Sequence, residues 1–171
     1  MAIQEGLLAA PAAKPSERRG AIARGFKKTG PAIFSYGFRP FFLGGAIWAV
    51  LAMLLWIFSL TLGLSVGGAY GALNWHAHEM VFGFSSAVLA GFLLTAVPNW
   101  TGRLPVSGMP LAILFGAWLL GRLVFLNPAI TNLYLAVGIE SLFLPMLLFI
   151  CAREIIAGHQ WKNLKVLIAV G

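Results

Sequence analysis

Four long apolar runs separated by short polar connections dominate the chain. They cover about residues 41–64, 75–97, 110–126 and 129–152; the first holds no charged residue and each of the others holds one. A helix of about 20 apolar residues crosses a bilayer. The pattern therefore predicts an all-α fold, a polytopic transmembrane helix bundle, with these runs as four complete spans.

Local signals set the expected ends of these helices. Arg39-Pro40 precedes the first span, and proline suits the first turn of a helix. Asn74 is a candidate N-cap for the second span, which Pro98 is expected to end. Asn127-Pro128 predicts a tight turn in which Asn127 caps the fourth span.

A last apolar run, residues 164–171, is too short to cross a bilayer. We expect it to be the start of a truncated fifth span in a chain that is incomplete at its C-terminus. The expected domains are therefore a basic, flexible cytoplasmic tail over residues 1–33 and a transmembrane helical domain over residues 34–171.

Composition excludes a soluble globular protein. Hydrophobic residues make up 60% of the chain and charged residues 10%, against about 25% charged in ordinary soluble domains. The 12 Lys and Arg residues outnumber the 5 Asp and Glu residues. Seven of the basic residues precede the first apolar run, which indicates membrane topology rather than binding to nucleic acid.

The basic residues alternate between the two sides of the predicted bundle. The N-terminal tail and the connections near Arg103 and Arg153 carry Lys or Arg, whereas the connections at residues 66–74 and 127–128 carry none. The positive-inside rule then places the N-terminus in the cytoplasm and these two connections outside. The expected location is a multi-pass position in a bacterial inner (cytoplasmic) membrane, with the lipid bilayer as the main partner.

Two further patterns concern packing. Gly83, Ala87, Gly91 and Thr95 recur every fourth residue of the second span, and such a stripe lets another helix approach closely. Most of the six tryptophans fall near predicted span ends and are interpreted as interfacial anchors. They are Trp48, Trp56, Trp75, Trp100, Trp118 and Trp161.

Candidate chemistry is concentrated in Trp75-His76-Ala77-His78-Glu79-Met80, at the outer end of the second span. On a helix His76, Glu79, Met80 and Gly83 share one face, and His78 points toward Phe82. Imidazole binds haem iron and copper, a thioether favours Cu(I), and a carboxylate can orient a ligating histidine. The alternative is a pair of histidines wetted by lipid headgroups.

Arg122 and Glu140 are the charged residues of the third and fourth spans. An ionisable side chain in a span is costly unless it is paired or wetted. The two helices are expected to be antiparallel neighbours, so that Arg122 comes within reach of Glu140. Arg122 would suit a haem propionate and Glu140 a proton relay; alternatively, Arg122 snorkels to the surface and Glu140 is protonated in the core.

Three segments carry a resemblance to a known family. They are Phe38-Arg39-Pro40-Phe41-Phe42, the run from Trp75 through Phe84, and Leu89-Ala90-Gly91-Phe92-Leu93-Leu94-Thr95-Ala96-Val97-Pro98-Asn99-Trp100-Thr101-Gly102-Arg103. Together they resemble the NnrS family from about Phe38 to the end of the chain. The resemblance implies a bacterial inner-membrane protein that contains haem and copper and is linked to nitric oxide metabolism, nitrosative stress and denitrification.

The family's chains are longer, so the resemblance implies further partners in helices of a missing C-terminal part. It adds cofactor-binding roles for His76, His78 and Glu79, and marks Arg39, Asn99 and Arg103 as motif residues without a known role. With the candidate ligand Met80 and the buried pair Arg122 and Glu140, these form the predicted site. No Cys-x-x-Cys-His motif is present, so any haem would be held non-covalently.

Two rival functions remain open at this stage. A cofactor-free transporter would use Arg122 and Glu140 along a path for an ion or small solute. A purely structural subunit would use only the stripe of small residues, and its histidines would be incidental. Nitric oxide or a related small molecule is an expected partner only under the hypothesis that the protein binds haem and copper.

Overall fold

The computed structural model describes residues 31–126 and 132–169 and is built from helices. The four long helices are α1 (Phe38–Leu62), α2 (Ala72–Thr101), α3 (Met109–Leu126) and α4 (Leu133–Ala157), and a short α5 (Leu164–Ile168) follows. Each of α1 to α4 is long and apolar enough to cross a membrane. The prediction of an all-α bundle with four membrane-spanning helices is confirmed.

Some predicted features fall outside the described residues. The proposed tail, residues 1–33, is described only from Pro31 onward, and the Asn127-Pro128 turn is not described. The described part of α4 begins at Leu133, where the Asn132 side chain accepts a hydrogen bond from the Tyr134 N–H at 3.0 Å. Asn132 thus caps this part of the helix.

The predicted ends of α2 are wrong on both sides. The helix begins at Ala72, so Asn74 lies inside its first turn, where its side-chain amide donates to the Tyr70 carbonyl at 3.0 Å. At the other end the helix continues through Pro98 to Thr101. The last turn persists because the Thr101 hydroxyl bonds the Val97 carbonyl and the Gly102 N–H bonds the Pro98 carbonyl, both at 2.9 Å.

Successive long helices run in opposite directions, which gives the bundle two distinct ends. At one end, called the His78 end, α1 and α3 finish and α2 and α4 begin. At the other, called the Arg103 end, α1 and α3 begin and α2 and α4 finish. The predicted outer and cytoplasmic sides correspond to the His78 end and the Arg103 end.

The stripe of small residues on α2 is the surface on which α1 packs. A Cβ placed on Gly91 would lie 2.6 Å from the Phe42 ring, and one placed on Gly45 of α1 would lie 3.0 Å from the Cβ of Ala87. Helices can approach this closely only where side chains are small or absent. The prediction of close packing at this stripe is confirmed.

The interpretation of the tryptophans as interfacial anchors is wrong for three of them. Trp48, Trp75 and Trp118 are 7%, 0% and 2% exposed and belong to the core. Trp161, by contrast, is 57% exposed. The buried indoles lie where helices meet, because a large flat side chain fills the space beside the small residues that bring the helices together.

Candidate functional site

A π-helical segment, Glu79–Ser85, interrupts α2 just after the histidine motif. Its wider turns contain one more residue than those of an α-helix, and such segments often occur at functional sites. The Ser85 hydroxyl bonds the Met80 carbonyl five residues earlier, at 2.9 Å. The segment turns both Glu79 and Gly83 toward the interior of the bundle, where both are buried.

Glu79 is fully buried at the centre of a polar cluster. Its Oε2 accepts hydrogen bonds from the Trp48 indole Nε1 of α1 and from Nη1 of Arg122 of α3, each at 2.7 Å. Hydrogen bonds to charged acceptors are stronger than those between neutral groups. One carboxylate therefore ties α2 to both α1 and α3.

Arg122 connects this carboxylate to a second one. Its side chain is 1% exposed, and its Nη2 donates to Oε1 of Glu140 on α4. The predicted approach of Arg122 to Glu140 is confirmed, and the alternative of a snorkelling arginine is wrong. Gly121 lies beside Glu140, and a Cβ there would make an ordinary van der Waals contact, 3.5 Å, with the Cβ of Glu140.

Gly83 leaves the space in which these groups meet. A Cβ on Gly83 would lie 2.8 Å from each of Nη1 of Arg122, Oε2 of Glu79 and Nε1 of Trp48. The backbone carbonyl of Gly83 also accepts a hydrogen bond from Nε1 of Trp118, at 2.9 Å. The glycine is thus required here by the ion pair as well as by helix packing.

His78 closes the cluster on the side of the His78 end. Its Nε2 lies 2.8 Å from Oε2 of Glu140, and its Nδ1 lies 3.3 Å from Oε1 of Glu79. The ring stacks on Phe125 with centroids 4.1 Å apart and also contacts Phe82. The contact with Phe82 agrees with the predicted direction of the His78 side chain. We call Trp48, His78, Glu79, Arg122 and Glu140 the polar layer.

The polar layer contains one guanidinium and two carboxylates. It carries a net negative charge unless His78 or one carboxyl group holds a proton. A buried charge is stable only when it is paired and hydrogen-bonded. The shared arginine pairs with both carboxylates, and the His78 ring lies against each of them, so every charge of the polar layer has a partner.

His76 lies outside this network. Its ring stacks on the Trp56 indole of α1, with centroids 4.4 Å apart and planes 10° apart. Its Nδ1 is buried without a hydrogen-bond partner among the described residues, as are Nε1 of Trp56 and of Trp75. Of the two histidines, His76 is the one with a ring nitrogen that no described residue bonds, which makes it the better candidate to hold an external ligand.

The described residues contain no group of three or more His, Cys, Asp or Glu side chains arranged to hold a metal ion. His76 supplies one nitrogen donor, and Met80, partly buried four residues later, supplies a candidate thioether. These are donor types that could contribute to holding haem iron or copper.

The remaining predicted motif residues lie at the Arg103 end. Arg39 donates through Nη1 to the Ala32 carbonyl and the Ser35 hydroxyl, at 2.9 and 2.8 Å. Asn99 is exposed. Arg103 donates through Nε to Oε2 of Glu154 at 2.6 Å. The fold does not bring these three residues into the polar layer.

Several participants were not singled out from the sequence. Trp48 and Trp118 supply indole donors to the polar layer and to Gly83, Trp56 stacks on His76, and Glu154 pairs with Arg103. The sequence signal for these donors was the presence of charged residues within apolar runs, because a buried carboxylate requires hydrogen-bond donors around it. It identified neither the donors nor their helices.

Comparison with known proteins gives one result. The model of the family described as "NnrS protein" matches residues 32–171, which include all the described helices. No curated protein and no solved structure matches the chain. Because the match extends over most of the chain, from before α1 to its last residue, the protein belongs to the NnrS family.

Proposed function

We propose that this protein binds haem and copper in the membrane and acts in nitric oxide metabolism or in resistance to nitrosative stress. The observation that carries the proposal is His76, a stacked imidazole whose Nδ1 has no hydrogen-bond partner among the described residues. An imidazole held in this way has lost its rotational freedom before a ligand arrives, which lowers the cost of binding.

His76 and His78 have different roles in this proposal. His76 is the candidate ligand, with Met80 as a second donor where copper is bound. His78 has both ring nitrogens beside carboxylates, so it orients Glu79 and Glu140 within the polar layer. Haem iron and copper would supply the electron transfer and the binding of nitric oxide.

Arg122 positions the carboxylates rather than binding a haem propionate directly. Its two Nη atoms already pair with Glu79 and Glu140, and its side chain is 1% exposed. A direct contact with a propionate would require one of these ion pairs to open. Removal of one partner from a buried ion pair costs about 3–5 kcal/mol, so the intact pair is favoured.

The proposed location is a bacterial inner membrane with the N-terminus in the cytoplasm. Arg103, Arg153, Lys162 and Lys165 all belong to the Arg103 end or to the segment that follows α4. At the His78 end the described connection between α1 and α2 has no Lys or Arg. The positive-inside rule then places His76 and the polar layer toward the outer face.

An absorption spectrum and a metal analysis of the purified protein test the proposal. The protein is produced from its complete reading frame in cells supplied with haem and copper. We expect a Soret band and bound copper in the wild-type protein. We also expect loss of nitric oxide resistance in cells that carry only the His76→Ala variant. A colourless, metal-free and correctly folded wild-type protein would contradict the proposal.

A cofactor-free transporter is the second candidate, and the polar layer is the observation that favours it. Charged side chains between spans commonly line the paths of ions and small solutes. Nε of Arg122 is buried without a partner among the described residues, so the guanidinium retains a donor for a passing anion. A colourless protein that moves an anion into vesicles only when Arg122 is intact would favour this candidate.

A further inference from the structure

A second cluster of charged side chains lies at the Arg103 end, away from the polar layer. Glu154 of α4 is 8% exposed, and its two carboxylate oxygens are bound by different arginines. Arg103 donates through Nε to Oε2 at 2.6 Å, and Arg153 donates through Nη2 and Nε to Oε1 at 2.6 and 3.0 Å. The buried carboxylate thus fixes two guanidinium groups side by side.

The arginines retain unused binding capacity. The side chain of Arg103 is 46% exposed and that of Arg153 is 59% exposed. Within the described residues, both Nη atoms of Arg103 and Nη1 of Arg153 have no hydrogen-bond partner. Two cations and one anion leave a net charge of +1, and the other acidic residues of the described chain, Glu79 and Glu140, lie in the polar layer.

These groups line a surface cleft of about 550 Å³ between the α2–α3 connection and the end of α4. Ser107 adds a hydroxyl to the lining, and Pro110 belongs to the first turn of α3, whose N-terminal end is the positive end of the helix dipole. The cleft therefore combines two preorganised guanidinium groups, a hydroxyl and a favourable dipole, all of which attract an anion.

We propose that this cleft binds a phosphate group through Arg103 and Arg153. Guanidinium groups bind phosphate oxygens with paired hydrogen bonds, and anchoring by Glu154 reduces the side-chain entropy that binding would cost. The phosphate belongs either to the headgroup of an anionic lipid or to a free anion in solution. The proposal does not depend on the haem and copper function of the opposite end.

Binding is measured on the protein in nanodiscs and in detergent. One arm compares retention of phosphatidylglycerol with that of phosphatidylcholine by native mass spectrometry; the other titrates inorganic phosphate into protein in phosphatidylcholine nanodiscs. We expect the Arg103→Gln/Arg153→Gln variant to bind about tenfold more weakly than the wild type in one arm. The arm that responds identifies the source of the phosphate.

A matched control removes the same charge elsewhere at this end. Lys162→Gln/Lys165→Gln changes two exposed cations that follow α4 and is expected to bind like the wild type. Equally weakened binding in the double arginine and the double lysine variants would overturn the proposal and indicate an effect of general surface charge. Unchanged binding of the double arginine variant in both arms would also overturn it. If the double arginine variant does not fold, Arg153→Gln alone, which leaves the Arg103–Glu154 pair intact, is expected to weaken binding severalfold.

Discussion

Arg122 and Glu79 form a fully buried ion pair between α3 and α2, with Nη1 of Arg122 2.7 Å from Oε2 of Glu79. Their side chains are 1% and 0% exposed. In so apolar a chain, each charge is stable in the interior only because the other is present. The pair therefore holds helices together and fixes where the polar layer lies.

Loss of the cation from this pair should destabilise the bundle strongly. Arg122→Leu leaves Glu79 and Glu140 buried without their common partner, and we expect it to lower the free energy of unfolding by about 3–5 kcal/mol. Thermal unfolding in detergent, followed by tryptophan fluorescence, measures the change. Arg39→Leu removes an exposed arginine and should change stability by less than about 1 kcal/mol; equal effects would contradict the prediction.

Gly83→Ala tests the space in which the polar layer is assembled. The new Cβ would lie 2.8 Å from three polar atoms, and we expect a loss of about 1–3 kcal/mol from overpacking. Gly116→Ala is the matched control, because Gly116 also lies in a long helix and a Cβ there meets nothing within 4 Å. Alanine at position 116 should be neutral or stabilising by up to about 1 kcal/mol. A larger loss of stability in Gly116→Ala than in Gly83→Ala would contradict the packing described.

The two indole donors should differ in their contribution to stability. Trp48 donates to the Glu79 carboxylate at 2.7 Å, whereas Trp118 donates to the Gly83 carbonyl at 2.9 Å. Hydrogen bonds to charged groups contribute about 1.5–3 kcal/mol and neutral ones about 1 kcal/mol. Trp48→Phe is therefore expected to lower the melting temperature more than Trp118→Phe, and the opposite order in the same detergent would contradict this ranking of the two donors.

Cys151 offers a chemical probe of the same bundle. It is the only cysteine of the chain and is 1% exposed within the core, so its thiol should react only when the helices separate. Maleimide labelling of the native protein in detergent should be slow and should become complete after denaturation. Rapid labelling of the folded wild type would show that α4 is not packed as described.

The four spans were predictable from the sequence because length and apolar composition determine which segments can cross a bilayer. The ends were less predictable. Pro98 is a strong signal for a helix end, yet the helix continues, with Thr101 and Gly102 bonding the carbonyls of Val97 and Pro98. The π-helical segment after His78 had no sequence signal that we recognised.

The candidate site was predictable only in part. Charged residues inside apolar runs, and the expectation that their helices are antiparallel neighbours, identified Arg122 and Glu140 as partners. The distinction between His76 and His78 required the three-dimensional packing. Sequence spacing placed His76 and Glu79 on one face, but the fold pairs Glu79 with His78 and stacks His76 on Trp56.

The most direct test of this account compares His76→Ala with His78→Ala in the complete protein. Both visible absorption and melting temperature are measured for each variant and for the wild type. The account predicts that His76→Ala loses the haem band, whereas His78→Ala keeps the band and melts at a lower temperature than the wild type. Loss of the band in His78→Ala, with full retention in His76→Ala, would contradict the proposed division between a ligating histidine and a histidine of the polar layer.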